Sequence, residues 1–321
     1  MRYTSAVLRA NQAVRLGLRA ASRNPELAFV KALLDEAGSL LALLPPLLAG
    51  LLLAATVRAD LGPLLRAAAA IRWPVLGGLL AAFLLAFTVG MLFWSGALPL
   101  LAADAEMARR PPAGNFWRLA SRGFARVLAT GAAAYGLSLL FSLACAAALL
   151  AAVPAVLAKP SPLLFAGSAL AATCALVGGV MVDLLARLWL ARAAAFGDSV
   201  SAAFGKATSL LGERLGSCLV VTIAFLFLEL IAATAAGMFT GFISSSSMFD
   251  PGAELLALAP RAAVSLAFAA VFAWLEVGRM GALAAIAADA EGLIEEPVAP
   301  PPPVPIAEPV IEALPVEDEP E

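Results

Sequence analysis

Six long apolar segments, separated by short polar connections, divide the chain. We number them spans 1 to 6, and they run roughly over 37–57, 74–103, 127–153, 163–190, 215–243 and 261–288. A helix needs about 20 mostly apolar residues to cross a bilayer, and each segment meets that length. Soluble core helices are usually shorter and keep a polar face. The pattern therefore predicts an all-α, polytopic membrane protein with six transmembrane helices.

The composition supports this class and excludes several chemistries. Hydrophobic residues make up 62% of the 321 residues and charged residues only 14%, against about 25% in soluble domains. The absence of histidine excludes a Ser-His-Asp triad, an HExxH zinc site and a histidine haem ligand. The cysteines Cys145, Cys174 and Cys218 form no CxxC pair. We expect no enzyme activity, and no catalytic, metal or cofactor site.

The basic residues favour one side of the membrane. Fifteen lie before span 1, between spans 2 and 3, or around the connection of spans 4 and 5, whereas five lie on the opposite side. Cytoplasmic connections are enriched in Lys and Arg. We therefore expect a bacterial-type inner membrane protein with both termini in the cytoplasm.

The chain also resembles three copies of one unit. The five residues Ala102–Glu106 recur as Ala287–Glu291, and the related stretch 194–198 lies between them, near the position that a period of about 92 residues predicts. Each unit would contain an amphipathic cytoplasmic helix and a helical hairpin of two spans. The fold predicted is three hairpin repeats, each preceded by an amphipathic helix.

The amphipathic helices carry cations at helical spacing. Four-residue steps place three arginines on one face of the first helix and three on one face of the second. These are Arg15, Arg19, Arg23, Arg118, Arg122 and Arg126. The opposite face of the first helix carries Val7, Val14, Leu18 and Ala21. In the third helix the apolar face would be formed by Val200, Phe204, Ala207, Leu211 and Leu215, with Leu210 on the polar side.

These helices suit the headgroup region of a membrane, where the six arginines would contact anionic lipid. The simpler interpretation is that the cations only orient the chain. We expect membrane lipids as partners and no nucleic acid.

At this point the sequence resembles a known family. The stretch 182–216, VDLLARLWLARAAAFGDSVSAAFGKATSLLGERLG, runs from a returning span into a small-residue helix and on toward the next span. This is similar to the six-span membrane domain of glycerophosphodiester phosphodiesterases and its stand-alone bacterial relatives. The resemblance extends over about residues 5–292. The family's catalytic barrel has no counterpart here, so the resemblance implies no catalytic residue.

Ionisable residues inside the spans need partners, because a charge at the bilayer centre costs at least about 2.5–3.5 kcal/mol. Asp183 and Arg187 are one helical turn apart on span 4 and can pair. Glu229 lies about thirteen residues into span 5, and Glu276 and Arg279 lie on span 6. We expect Glu229, Arg279 and Glu276 to form a cluster that either clamps two helices or serves a proton or cation step in transport.

The predicted organisation has three parts. Residues 1–36 form the amphipathic cytoplasmic segment, residues 37–292 the membrane domain, and residues 293–321 a disordered tail rich in proline and acids. The tail could dock a protein partner. The function favoured is a non-enzymatic inner-membrane protein that organises membrane or envelope, or serves as a partner-binding subunit. The alternative is a small-solute or ion transporter that uses Glu229, Glu276 and Arg279.

Overall fold

The computed structural model describes residues 8–56, 61–107, 115–158, 161–247 and 251–294. Within these ranges the chain forms seven α-helices and no strand, which confirms the all-α class. The helices are α1 (Ala10–Arg23), α2 (Pro25–Thr56), α3 (Leu61–Met107), α4 (Phe116–Ala158), α5 (Pro162–Ala195), α6 (Val200–Ser247) and α7 (Pro251–Ala290).

Five helices are long and apolar enough to cross a membrane, so the chain is a multi-pass membrane protein. The qualifying stretches of α3 to α7 are Ala70–Ala103, Phe116–Leu150, Pro162–Ala195, Val200–Ile243 and Ala257–Ala290. Span 1 lies on α2, which is not among these five, and its last residue, Val57, lies outside the described ranges. The sixth span therefore stays a prediction.

The helices are longer than a bilayer requires, and they divide into two halves. At 1.5 Å per residue, α3 with 47 residues is about 70 Å long, against about 30 Å of hydrocarbon. We define the closed half as α1 with residues 25–35, 91–107, 116–134, 184–195, 200–225 and 273–290. The open half contains residues 37–56, 61–87, 137–158, 162–181, 228–247 and 251–270. Most of the buried side chains lie in the closed half.

In the open half the helices pack as three antiparallel hairpins: α2 with α3, α4 with α5, and α6 with α7. Pro45 lies against Gly78, Phe141 packs over Gly178, and Phe239 is 6.2 Å from Phe268 between ring centroids. The large apolar side chains of these segments are exposed, including Leu140, Leu170 and Leu230 at 68%, 66% and 63%. Each open-half helix thus buries little beyond the seam with its own hairpin partner.

The hairpins are joined in the closed half, with α7 at the centre. Its residues from Ala282 to Ala288 are all buried, and α7 contacts α1, α2, α3, α5 and α6. Between hairpins, Ser95 Oγ of α3 donates to the Ala120 carbonyl of α4 at 2.9 Å, and Trp189 Nε1 of α5 donates to the Val200 carbonyl of α6 at 2.8 Å.

The three predicted amphipathic helices take different forms. The first is the separate helix α1, the second is continuous with its span in α4, and the third meets its span at a kink at Arg214 (φ −127°, ψ 29°). Residues 25–36, predicted to belong to the surface segment, form the first turns of α2. No feature of the described helices establishes a structural repeat, and that organisation stays a prediction.

Helix α1 does not lie apart from the bundle, because it packs antiparallel along the closed half of α7. Gly17 lies so close to α7 that a Cβ there would be 2.7 Å from Ala282 Cβ and would also clash with the Gly278 carbonyl oxygen. The backbone N–H of Leu8 donates to Asp289 Oδ2 at 3.1 Å. The buried residues of α1 are Ala13, Gly17, Ala20 and Ala21, and small side chains of this kind let helix backbones approach closely.

Candidate functional site

A network of charged side chains crosses the molecule where the closed half meets the open half. Lys31 Nζ of α2 lies 2.7 Å from Glu276 Oε2 of α7 and 2.6 Å from Asp35 Oδ2. Arg187 Nε of α5 donates to Asp183 Oδ2 at 2.7 Å, and Arg187 Nη1 lies 3.6 Å from Glu276 Oε1. We call these five residues the polar network. Glu276 is its centre and joins α2, α5 and α7.

The structure also brings Glu229 and Arg279 together, on α6 and α7. Arg279 Nη2 lies 3.5 Å from Glu229 Oε1, and the Arg279 side chain is 7% exposed. Its Nε has no hydrogen-bond partner among the described residues. Glu276, expected to join this pair, instead makes its ion pairs with Lys31 and Arg187. The charges therefore form two neighbouring groups.

Sequence reasoning used Lys31 only to orient the chain and passed over Asp35. The available signal was their spacing of one helical turn, directly before an apolar span. The contact between Lys31 and Glu276 joins the second helix to the last one, and local spacing in a single sequence carries no sign of it.

The charges lie about one hydrocarbon thickness away from the helix connections of the open half. Asp35 is 21 residues before the end of α2, and Asp183 is 21 residues after the start of α5, which corresponds to about 32 Å along each helix. Glu229 is 18 residues before the end of α6, about 27 Å. The sequence placed Glu229 deep within span 5, but Cys218, Val221 and Phe225 of that span are buried in the closed half.

A second charged cluster ties together the far end of the closed half. Arg192, which is buried, lies 3.1 Å from Asp198 Oδ2 and also pairs with Glu291. Lys206 Nζ lies 2.8 Å from Asp198 Oδ1, and Arg214 pairs with Asp289. These contacts fix the α5–α6 turn, where Gly197 has φ 75°, against the last turn of α7. A positive φ of this size favours glycine.

The six arginines predicted to contact lipid differ in their surroundings. Arg15, Arg19, Arg118 and Arg122 are exposed. Arg126 instead donates from Nε to the Ala193 carbonyl at 3.0 Å, and therefore binds the last turn of α5. Arg23 is partly buried and has an interaction partner. Only the first four present their guanidinium groups mainly to the surroundings of the protein.

The described residues contain no group of three or more Cys, Asp or Glu side chains placed to hold a metal ion. Cys218 is buried in the closed half, Cys145 is partly buried and Cys174 is exposed. The two charged groups and the cluster at Arg192 are pairings of opposite charges, which join neighbouring helices.

No protein-family model, curated protein or solved structure matches this chain.

Proposed function

We propose that the chain is a non-enzymatic inner-membrane protein that organises the membrane or envelope, or serves as a partner-binding subunit. Both termini would lie in the cytoplasm, and the closed half would meet anionic lipid through its exposed arginines. The resemblance to the membrane domain of glycerophosphodiester phosphodiesterases remains part of this proposal, without the family's activity. The tail 293–321, of which residues 295–321 lie outside the described ranges, is a second candidate contact for a partner.

The open half carries this proposal. Three hairpins with exposed leucine and phenylalanine side chains project from one closed half and pack little against one another. Lipid can cover such faces, and so can the transmembrane helices of another protein. A scaffold needs a rigid part and free faces, and the molecule has that division.

The charged groups support a structural role for the boundary between the halves. Lys31, Arg187 and Glu276 are mostly buried, and each has an opposite charge within 4 Å. Removing one partner of a buried pair leaves an uncompensated charge and costs about 3–5 kcal/mol. Such pairing holds α2, α5 and α7 in one arrangement.

Photo-crosslinking in native membranes tests the proposal. A photoreactive residue is placed at Leu140 or Leu170 in the open half, and at Ser121, which is exposed in the closed half, as the matched control. We expect a discrete crosslinked protein from the two open-half positions and not from Ser121. Crosslinks to lipid alone at both positions would contradict partner binding through the hairpins. A chain that ends at Gly292 measures the contribution of the tail.

The transporter alternative is favoured by one observation: within the described residues, the buried Arg279 has an ion pair with Glu229 at 3.5 Å and an Nε with no hydrogen-bond partner. Glu229→Gln removes the charge and keeps the shape of the side chain. If transport is the function, this variant still folds, although at a lower unfolding temperature because Arg279 loses its counter-charge, and it loses pH-driven proton uptake in vesicles loaded with a pH-sensitive dye. If wild-type vesicles take up no proton beyond empty ones, proton transport is excluded.

A further inference from the structure

An apolar groove runs along the outside of the closed half between α2 and α3. Leu27, Val30 and Leu34 form its wall on α2, with the spacing of one helix face, and Leu92 and Phe93 form part of the wall on α3. The groove encloses about 220 Å³. Val30 is 40% exposed, so the groove opens sideways to the surroundings of the protein.

The dimensions of the groove select its occupant. It extends from Asn24 to Leu34, about 15 Å along α2, and its lining is almost entirely apolar. A long, narrow apolar groove of this kind suits an extended hydrocarbon chain. A transmembrane helix is about 10 Å across, so a partner helix could cover the groove but could not enter it between the contacting helices α2 and α3.

The two ends of the groove differ in chemistry. The end at Leu34 leads to the open half, where Leu40 and its neighbours are exposed. The other end is bordered by Phe116 and Trp117 at the start of α4, and Trp117 is 71% exposed. Tryptophan is enriched at the level of lipid headgroups. An amphiphile would therefore lie with its tail toward the open half and its headgroup at α4.

The charge at this end favours a phosphate. Arg118 Nη2 donates to Asn115 Oδ1 at 2.9 Å, so its guanidinium reaches back to the residue before α4, while Trp117, its neighbour in the chain, lines the groove. The start of a helix carries partial positive charge. Glu26 borders the same end from α2 and disfavours a second anion close to it. The phosphate position is therefore on the α4 side, at Trp117 and Arg118.

We propose that this groove is a binding site for one phospholipid of the bilayer, with an acyl chain between α2 and α3 and an anionic headgroup at Trp117 and Arg118. The site requires only that the chain lies in a membrane, and it is independent of the partner-binding role. It differs from general attraction of arginines to a charged surface, because it retains a single lipid in a shaped groove.

Retention of lipid through purification tests the site. The full chain is reconstituted in vesicles of phosphatidylcholine and phosphatidylglycerol, extracted again with extended detergent exchange, and examined by native mass spectrometry. Val30→Trp and Leu92→Trp fill the groove from opposite walls. Phe29→Trp adds a similar side chain one residue away, at a position that is 61% exposed and does not line the groove.

We expect wild type and Phe29→Trp to retain one phospholipid, mainly phosphatidylglycerol, and both groove variants to lose it. Arg118→Gln should lower the preference for phosphatidylglycerol over phosphatidylcholine about fivefold, the effect of about one surface cation. Arg15→Gln removes an equal charge from α1 and should leave that preference unchanged. Unfolding temperatures identify variants that fail to fold. If either Val30→Trp or Leu92→Trp fails to fold, lipid retention by the other groove variant tests the site.

Three results would overturn the site. They are a wild-type protein that retains no phospholipid, equal retention by Val30→Trp, Leu92→Trp and Phe29→Trp, and a bound protein or second copy of the chain in place of lipid. Equal effects of Arg118→Gln and Arg15→Gln would remove the headgroup assignment. None of these results bears on crosslinking through the open half, so the two proposals fail separately.

Discussion

At the scale of single residues, the ion pairs at the end of the closed half depend on one buried guanidinium. The Arg192 side chain is 2% exposed, pairs with Asp198 and Glu291, and lies 4.7 Å from the centre of the Phe196 ring. Burial of a charge is tolerated when it is paired and hydrogen-bonded. Arg192 therefore links the end of α5 to the residue that follows α7.

The pH dependence of this link is predictable from Glu291. The hydrogen bond from Arg192, with the charges of Arg192 and Lys206, holds the pKa of the Glu291 carboxyl below its usual value of 4.5. A lowered pKa in the folded state stabilises the protein above pH 4.5, and that contribution is lost as the pH falls through the folded-state pKa. We expect wild type to unfold at a higher temperature than Glu291→Gln at pH 7, with the difference shrinking below pH 4.5.

Unfolding in detergent micelles across this pH range measures the difference between the two proteins. Because wild type and Glu291→Gln contain the same other carboxyl groups, the titration of those groups affects both unfolding temperatures and drops out of the difference between them. A difference that stays constant down to pH 3 would contradict the expected titration of Glu291, and the absence of a difference at pH 7 would show that its contact with Arg192 adds no stability.

Individual contacts of this kind were only partly predictable. The pairing of Asp183 with Arg187 follows from a spacing of one helical turn, and adjacent spans suggested that Glu229 and Arg279 would meet. The partners of Glu276 were not predictable, because Lys31 comes from a helix at the other end of the chain. A single sequence shows which charged residues need a partner, but it does not show which residue that partner is when the two are far apart in the chain.

At the scale of helices, the docking of α1 on α7 depends on the absence of side chains. Gly17 faces Gly278 and Ala282, and a Cβ on Gly281 would lie 3.6 Å from Ala20 Cβ. Backbones this close gain dispersion contacts along their whole seam. The seam explains why α1 packs along the bundle although its exposed face carries Arg15 and Arg19.

Gly17→Ala should weaken this docking. Overpacking costs about 1–3 kcal/mol, and the better helix propensity of alanine returns up to about 1 kcal/mol, so we expect net destabilisation of about 1–2 kcal/mol. The measurement is the unfolding temperature together with the rate of trypsin cleavage within α1. Gly205→Ala is the matched control, because nothing lies within 4 Å of the added Cβ, and it should be neutral or stabilising.

If trypsin cleaves α1 no faster in Gly17→Ala than in Gly205→Ala, the close contact between α1 and α7 does not hold α1 in place.

The predicted apolar face of the third amphipathic helix is confirmed in part. Ala207 is buried, and Val200 and Leu211 pack against the core. Phe204 and Leu215, also predicted on this face, are each 38% exposed, whereas Leu210, expected on the polar side, is buried. Small side chains such as Ala203 and Ala207 occupy the closest contacts, as they do in α1. Helical periodicity therefore predicted the helix, and weighting by side-chain size shifted the predicted face.

At the scale of the whole molecule, the division into two halves follows from the distribution of charge and residue size. Ion pairs and alanine-rich seams concentrate in the closed half, and exposed leucine and phenylalanine dominate the open half. The sequence predicted helices, most of their spans and the bias of cations. It did not predict that the hairpins separate, because hydropathy does not distinguish a face against lipid from a face against another helix.

The orientation of the molecule is the last prediction. Within the described residues, Arg66, Arg72 and Arg261 are the cations of the α2–α3 and α6–α7 side, whereas the closed half carries most of the others. The positive-inside rule therefore predicts that the closed half lies on the cytoplasmic side of the membrane. In a background with Cys145, Cys174 and Cys218 replaced by serine, Ser161→Cys should react with a membrane-impermeant maleimide on intact cells. Ser121→Cys, exposed in the closed half, should react only after the membrane is opened.

Labelling after permeabilisation confirms that both positions can react, which makes the comparison on intact cells a measurement of sidedness. The reverse pattern would place the closed half outside, where the exposed arginines of α1 and α4 could not meet the anionic cytoplasmic leaflet. The phospholipid groove would then open to the opposite leaflet, so its headgroup preference would have to be measured against the lipids of that side.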